Sequence, residues 1–258
     1  MSQVIVFVSG ATGQQGGATA RELVTAGVQV HALARDPSSE SAVELQHLGV
    51  RLFPGDYDNL SALKAAMEGA TAVFLNVSPM LSDLRGEVVH AKNILNAAIA
   101  SGTVTSIVYS SVAMTGQHES FPNWGPEYPP RWYWENKADI EAMLVQQKAF
   151  RTAYRPETAM TVLAAEDVGR FAAAALTDPR AYHTHEIDLG GEEIQLEFYS
   201  EEEAKALAER DPRLYAQLWT NEVGYQVDFT ALEKYPIRLT RFADYLDKHR
   251  DEVRAMFK

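Results

Sequence analysis

Tyr133-Trp134-Glu135-Asn136-Lys137 sets a phenol and an ammonium four residues apart, the spacing that brings two side chains onto one face of a helix. An ammonium beside a phenol favours the phenolate and lowers the tyrosine pKa from about 10 towards neutral pH. Such a tyrosine can give a proton to, or take one from, a carbonyl or alcohol oxygen. The lysine can also reach the ribose hydroxyls of a nucleotide. With 11 tyrosines in the chain the spacing can arise by chance, so a second feature has to support it. Ser110 and Ser111 do so. They end a strand-like run, Ser106–Ser111, and a hydroxyl at such an edge can hydrogen-bond a substrate oxygen and help polarise it. The plain alternative is a strand-end or capping serine.

Gly10-Ala11-Thr12-Gly13-Gln14-Gln15-Gly16 follows the first apolar run and opens a helix-like segment. Glycines at this spacing allow a tight turn, a close backbone approach to a pyrophosphate, and close helix–strand packing. The helix start then offers unpaired N–H groups and a positive dipole end to phosphates. Gly10, Thr12, Gly13, Gln14, Gln15 and Gly16 are therefore the expected phosphate-binding residues. The second strand runs into Arg35 where an acidic residue would hydrogen-bond a ribose 2′-hydroxyl. A guanidinium there can pair with a 2′-phosphate, which favours NADP(H). Asp36 follows and keeps NAD(H) open. Asp56 and Tyr57, after the third strand, are placed to flank an adenine, and Asn76 and Val77, after the fourth, to line the floor beside the cofactor.

The elements that must hold these residues follow from periodicity. Val4–Val8 is a short, wholly apolar run, as in a strand covered on both faces, and Val28–Ala34, Val50–Phe53, Ala72–Asn76 and Ser106–Ser111 read as further short strands. Between them lie helical stretches, Ala18–Ala26, Ser41–Leu48, Ser61–Glu68 and Glu87–Ala100, each followed closely by a glycine suited to a C-terminal cap: Gly27, Gly49, Gly69 and Gly102. This alternation predicts an α/β fold with a doubly wound parallel sheet of the Rossmann type. Gln117–Arg131, with its four prolines, breaks the rhythm and reads as a loop. Helix Tyr133–Gln147, strand Phe150–Arg155, helix Ala165–Thr177, strand Glu186–Leu189 and helices Ser200–Leu218 and Thr240–Met256 are expected after it. Residues 1–156 would form the dinucleotide-binding part and 157–258 a small, mostly helical region packed on it, with no Gly/Ser linker between them.

Composition narrows the classes. The chain has 258 residues, a formal net charge of −12 and no cysteine. Its acidic field disfavours nucleic acid and anionic membrane as partners. The lack of cysteine excludes disulfides, thiolate catalysis and cysteine-held metal sites. No apolar run approaches the ~18 residues of a membrane helix, and Val4–Val8 is too short for a signal peptide. A cytoplasmic location is the resulting expectation. His183 and His185 lack an accompanying ligand pattern, so no metal is expected. Glu201-Glu202-Glu203 reads as an acidic helix start and Asp244–Glu252 as a solvated helical face.

The loop Gly10–Gly17, Arg35, Gly55-Asp56 and Tyr109-Ser110-Ser111 together resemble the NmrA-like branch of the atypical short-chain dehydrogenases/reductases. Asp167-Val168-Gly169-Arg170 resembles that family's Asp-Ile-Gly helix, and Asn221–Asp228 its Gly-Tyr-x-x-Asp segment. The resemblance implies an NADP(H)-binding Rossmann fold with a small C-terminal region. It matches Ser111, Tyr133 and Lys137 to the wider superfamily's catalytic serine, tyrosine and lysine, with Ser111 preferred over Ser110 because Gly116 follows at the usual offset. One departure stands out. Only nine residues, Glu157 to Ala165, separate Arg155-Pro156 from the Asp-Val-Gly-Arg helix, where the family builds a substrate cover. The expected pocket is shallow and open, with the aromatic loop Trp124–Trp132 as a substitute wall.

Three readings follow. The first is an NADP(H)-dependent oxidoreductase reducing a carbonyl, imine or activated alkene of a small metabolite. The second is a cofactor-sensing regulator that binds NADP(H) without turnover and acts through a protein partner. The third is a non-redox isomerase or lyase reusing the same acid–base groups. An open pocket and an acidic surface are also compatible with a homodimer.

Overall fold

The computed structural model describes residues 4–112, 114–128, 131–146 and 165–177, together with Ile237 and Thr240. Five strands, β1 (Ile5–Val8), β2 (Gln29–Ala34), β3 (Arg51–Pro54), β4 (Ala72–Leu75) and β5 (Ser106–Tyr109), form one sheet in the order β3-β2-β1-β4-β5. All pairings are parallel; Phe7 is in register with His31 on one side and Val73 on the other. Helices α1 (Gln14–Thr25), α2 (Glu40–His47), α3 (Leu60–Met67) and α4 (Gly86–Ser101) make the crossovers, followed by α5 (Arg131–Gln146) and α6 (Ala165–Thr177). The order reverses beside β1, so the carboxyl ends of β1 and β4 flank the crevice where such sheets bind ligands.

Strand side chains alternate between two apolar layers. Phe7, Val73 and Leu75 pack with Leu63, Met67, Ile94, Ile140 and Leu144 under α3, α4 and α5. Val6, Val8, Val30 and Phe74 pack with Leu23, Leu45, Val168 and Leu176 under α1, α2 and α6. Burial on both faces explains why the inner strands β1, β2 and β4 read as nearly continuous apolar runs, while the edge strands β3 and β5 are only partly covered. Gly27, Gly49, Gly69 and Gly102 all have positive φ, as expected of helix ends. At Gly102 the left-handed residue turns the chain so that its N–H bonds Ile99 O.

Three boundaries differ from the pattern by two residues or more. Helix α1 begins at Gln14 rather than Ala18, so Gly16 and Gly17 lie inside it. Their low helix propensity is overridden by close packing: a Cβ on Gly16 would stand 2.3 Å from Gly10 O. Helix α5 begins at Arg131, two residues before Tyr133. Strand β5 ends at Tyr109, leaving Ser110 and Ser111 just beyond it. The strand expected at Phe150–Arg155, the nine-residue connection up to Ala165, where α6 begins, His183, His185 and the segments expected at Glu186–Leu189, Ser200–Leu218, Asn221–Asp228 and beyond Thr240 lie outside the described residues. In the Asp-Val-Gly-Arg helix, the buried Asp167 carboxylate pairs with Arg170 and accepts the Thr240 N–H at 3.0 Å. No helix among the described residues is long and apolar enough to cross a membrane.

Candidate active site

The glycine loop lies against the end of β4. Gly13 N–H closes a turn onto Gly10 O at 2.9 Å. Gly13 then caps α1 without any side-chain bond, which leaves the first N–H groups of the helix uncapped by a side chain. Thr12, Gly13 and Gln14 are exposed, and Gln15 half-exposed. Ser9 ties the loop to β4: its hydroxyl accepts the Asn76 N–H at 2.6 Å and meets Phe74 O at 3.1 Å. Asn76 stays half-buried beside Gly10, whereas Val77 is buried in the core under α4.

Tyr57 reaches the loop from the other side. Its hydroxyl accepts the Gly10 N–H at 2.6 Å, and its ring packs edge-on to His90. Burial pushes the phenol above its usual range, against the Gly10 bond and the nearby Arg35 charge. Asp56 is exposed and caps its own turn, accepting N–H groups of Asp58 and Asn59 at 3.1 and 3.0 Å. Arg35 is exposed at the end of β2 and makes no ion pair among the described residues. Asp36 is engaged locally. Its carboxylate accepts the Ser38 hydroxyl at 2.6 Å and the Ser38 N–H at 2.9 Å, bonds that hold it below the usual carboxylate range.

The two serines after β5 diverge. Ser110 donates to Oε1 of Gln15 at 2.7 Å, joining this edge of the sheet to the glycine loop. Ser111 donates to Glu141 on α5. Helix α5 is fixed to the start of α4 by Asn136, which donates to Leu84 O at 2.6 Å and accepts from Arg85 at 2.8 Å. Arg85 also pairs with Asp139 at 2.7 Å. That docking brings Lys137 onto Glu87 of α4 in an ion pair buried from solvent on both sides. Lys137 Nζ lies 5.7 Å from the ring centres of both Tyr133 and Tyr109.

The structure thus gathers Ser111, Tyr133 and Lys137 at one sheet edge and links that edge to the glycine loop. It adds Glu87 and Glu141, which the sequence pattern does not single out, and sets Tyr109 of the Tyr109-Ser110-Ser111 motif beside them. The Tyr109 hydroxyl is buried without a well-formed hydrogen bond. Burial pushes its pKa up, and the charges of Glu87 and Glu141 push it further. Glu141 follows Lys137 by one helical turn, so its face was readable; Glu87 comes from another helix and carries no local signal. The aromatic loop folds onto α5 beside this set. Phe121, Tyr128 and Trp134 form its core, with Trp124 and Tyr133 packed against them. His118 packs edge-on to Trp124 at 5.0 Å between ring centres, and burial lowers its pKa. Among the described residues no group of His, Asp or Glu could hold a metal ion.

The NmrA-like family model matches residues 1–154. Over 124 residues the chain is 40% identical to an NmrA-like family domain-containing oxidoreductase of an Aspergillus species, covering 46% of this chain and 36% of that protein. A like-named oxidoreductase of Penicillium ochrochloron is 38% identical over 116 residues, covering 42% and 34%. The chain therefore spans about a third of the length of the curated relatives it matches. Isoflavone reductase shares the fold across 95% of this chain and 99% of its own, with a TM-score of 0.65 and 18% identity. NmrA, a negative transcriptional regulator solved in complex with NADP, superposes with a TM-score of 0.50 and 26% identity over 62% of this chain and 47% of its own. Its NAD complex gives 0.59 and 24% identity over 74% and 68%.

Proposed function

Because the chain belongs to the NmrA-like family, we propose that it is an NADP(H)-dependent oxidoreductase that reduces a carbonyl, imine or activated alkene of a small metabolite. The observation that carries this reading is the Ser111–Tyr133–Lys137 set, held at the sheet edge that Ser110 ties to the glycine loop. The loop fits a dinucleotide: a Cβ at Gly16 would fill the space against Gly10 O, and the start of α1 lacks a side-chain cap. The N–H groups of Gln14 and Gln15 and the Thr12 hydroxyl would hold the pyrophosphate, the Gly13 N–H being committed to Gly10 O. Arg35 would meet a 2′-phosphate, Asp56 and Tyr57 would border the adenosine, and Asn76 the nicotinamide end. Relatives named as oxidoreductases, and a neighbour solved with NADP, support the same direction.

When bound, the nicotinamide supplies hydride; the chain supplies position and a proton. Tyr133 Oη gives its proton to the oxygen that gains charge as the carbonyl is reduced. Lys137 stands close enough to the Tyr133 ring to favour the phenolate left behind. Ser111 orients the substrate oxygen, and Trp124 and Tyr128 offer an apolar wall beside Tyr133.

A second reading has its own observation. The Lys137 ammonium is already paired with Glu87, which lessens its pull on Tyr133 and suits a cofactor-binding regulator without turnover. Tyr133→Phe separates the two. For a reductase, this variant keeps NADPH affinity and loses turnover by roughly 10²–10⁴-fold, the usual contribution of a positioned acid. A wild-type protein that binds NADPH and turns over nothing on a carbonyl panel favours the regulator, and unchanged turnover in Tyr133→Phe removes the role given to the phenol.

A further inference from the structure

Ser111 carries one hydroxyl proton, and it is directed at Glu141. A second neighbour, Thr115 Oγ1, stands 3.4 Å away and donates its own proton to Val112 O at 2.6 Å. A hydroxyl arranged in this way offers lone pairs to the pocket, not a proton. Orienting a substrate carbonyl requires the opposite polarity, with Ser111 donating. One change supplies it: a protonated Glu141 donates to Ser111 Oγ and releases the serine proton towards the substrate oxygen.

We propose that Glu141 is a positioning residue whose carboxyl proton decides whether Ser111 presents a donor or an acceptor to the substrate. The inference rests on the carbonyl-reduction reading of this site. The groups facing Glu141 come from three directions: Ser111 and Thr115 after β5, Lys137 on its own helix, and Tyr109 of β5. Tyr109 in turn faces Glu87 of α4 and Tyr133. Burial pushes the Glu141 carboxyl above the usual carboxylate range, while the Ser111 hydroxyl and the Lys137 charge pull it back. No proton is consumed at Glu141. The substrate oxygen takes its proton from Tyr133, and Ser111 and Glu141 keep theirs through the turnover.

Carbon-13 NMR of glutamate carboxyls follows Glu141 without any substrate, with Glu141→Gln assigning its signal. The expected midpoint lies above the ordinary value of about 4.3. It rises further in Ser111→Ala, where the hydroxyl that favours the carboxylate is gone. Should Glu141→Gln fail to fold, the signal displaced in Ser111→Ala makes the assignment. A second arm measures kcat/KM for carbonyl reduction against pH. In the wild type it falls about tenfold per pH unit above the Glu141 midpoint. In Glu141→Gln, whose amide N–H can donate to Ser111 at every pH, that limb is absent. An ordinary midpoint, a midpoint unmoved by Ser111→Ala, or an unchanged limb in Glu141→Gln overturns the proposal. A raised, Ser111-sensitive midpoint in a protein that reduces no carbonyl sustains the Glu141–Ser111 coupling and overturns the reductase reading instead.

Discussion

Arg35 and Asp36 are adjacent, carry opposite charges and would have opposite effects on a 2′-phosphate. Their local bonding separates them. The Asp36 carboxylate is turned into its own loop by Ser38, while the Arg35 guanidinium stays exposed and near Tyr57. Arg35→Ser is therefore expected to weaken NADPH binding and leave NADH nearly unchanged. Hydrogen bonds to a charged partner are each worth about 1.5–3 kcal/mol, so the loss should be roughly 10–100-fold. Fluorescence titration with both cofactors checks it; an equal loss for each would show that Arg35 does not read the phosphate. At this scale much of the site was legible. Tyr133 and Lys137 follow from helical spacing and Ser110 and Ser111 alike from their place at a strand end, the preference for Ser111 resting on the family resemblance. The Glu87–Lys137 pair was not legible, because it depends on Asn136 and Arg85 docking α5 onto α4. That contact is tertiary and leaves no periodic trace in either helix.

The helices depend on where backbones can touch. At the crossing of α1 and α6, a Cβ added to Gly169 would lie 2.6 Å from the Ala18 carbonyl carbon and 2.9 Å from its Cβ. The first of these is backbone and cannot rotate away. Gly169→Ala should therefore push α6 off α1 and cost ~1–3 kcal/mol, the usual penalty of overpacking. Urea unfolding would show it as a lower midpoint with an unchanged slope. Adding Ala18→Gly should restore only part of the loss, since it removes the Cβ contact and not the backbone one. An unshifted midpoint in Gly169→Ala would mean that the two helices are not held this closely. The same physics explains how the elements read in sequence. The inner strands, buried on both faces, gave the clearest apolar runs, and glycines with positive φ marked the helix ends. The start of α1 was obscured because its glycines look like loop residues, yet Gly16 is there to let the helix pass Gly10 O. Close packing, invisible to local propensity, overruled the local signal.

For the whole molecule, acidification sets two effects against each other. The chain carries a net charge of −12, so added protons relieve self-repulsion and favour the compact state. His31 and His118 act the other way. Both are buried, and desolvation lowers their pKa values below the ordinary 6.5. Below that value the unfolded chain binds protons that the folded chain refuses, so stability from these rings is present above about pH 6.5 and is lost as pH falls through their folded values. Glu141 runs opposite: its raised pKa contributes stability in acid that disappears as pH rises through its folded value. A single melting curve would mix all of these terms. His118→Phe separates one, because it keeps a ring between Trp124 and Trp134 and removes the titration. It also removes the Nδ1 acceptor of the Gly116 N–H, which shifts stability by an amount independent of pH wherever the folded ring is neutral. Melting temperatures of variant and wild type, measured between about pH 7.5 and 5, should therefore converge or cross as pH falls, the wild type losing more. Parallel curves over that range would show that the folded protein lets His118 titrate as freely as the unfolded chain does, and that the aromatic loop is not closed over it.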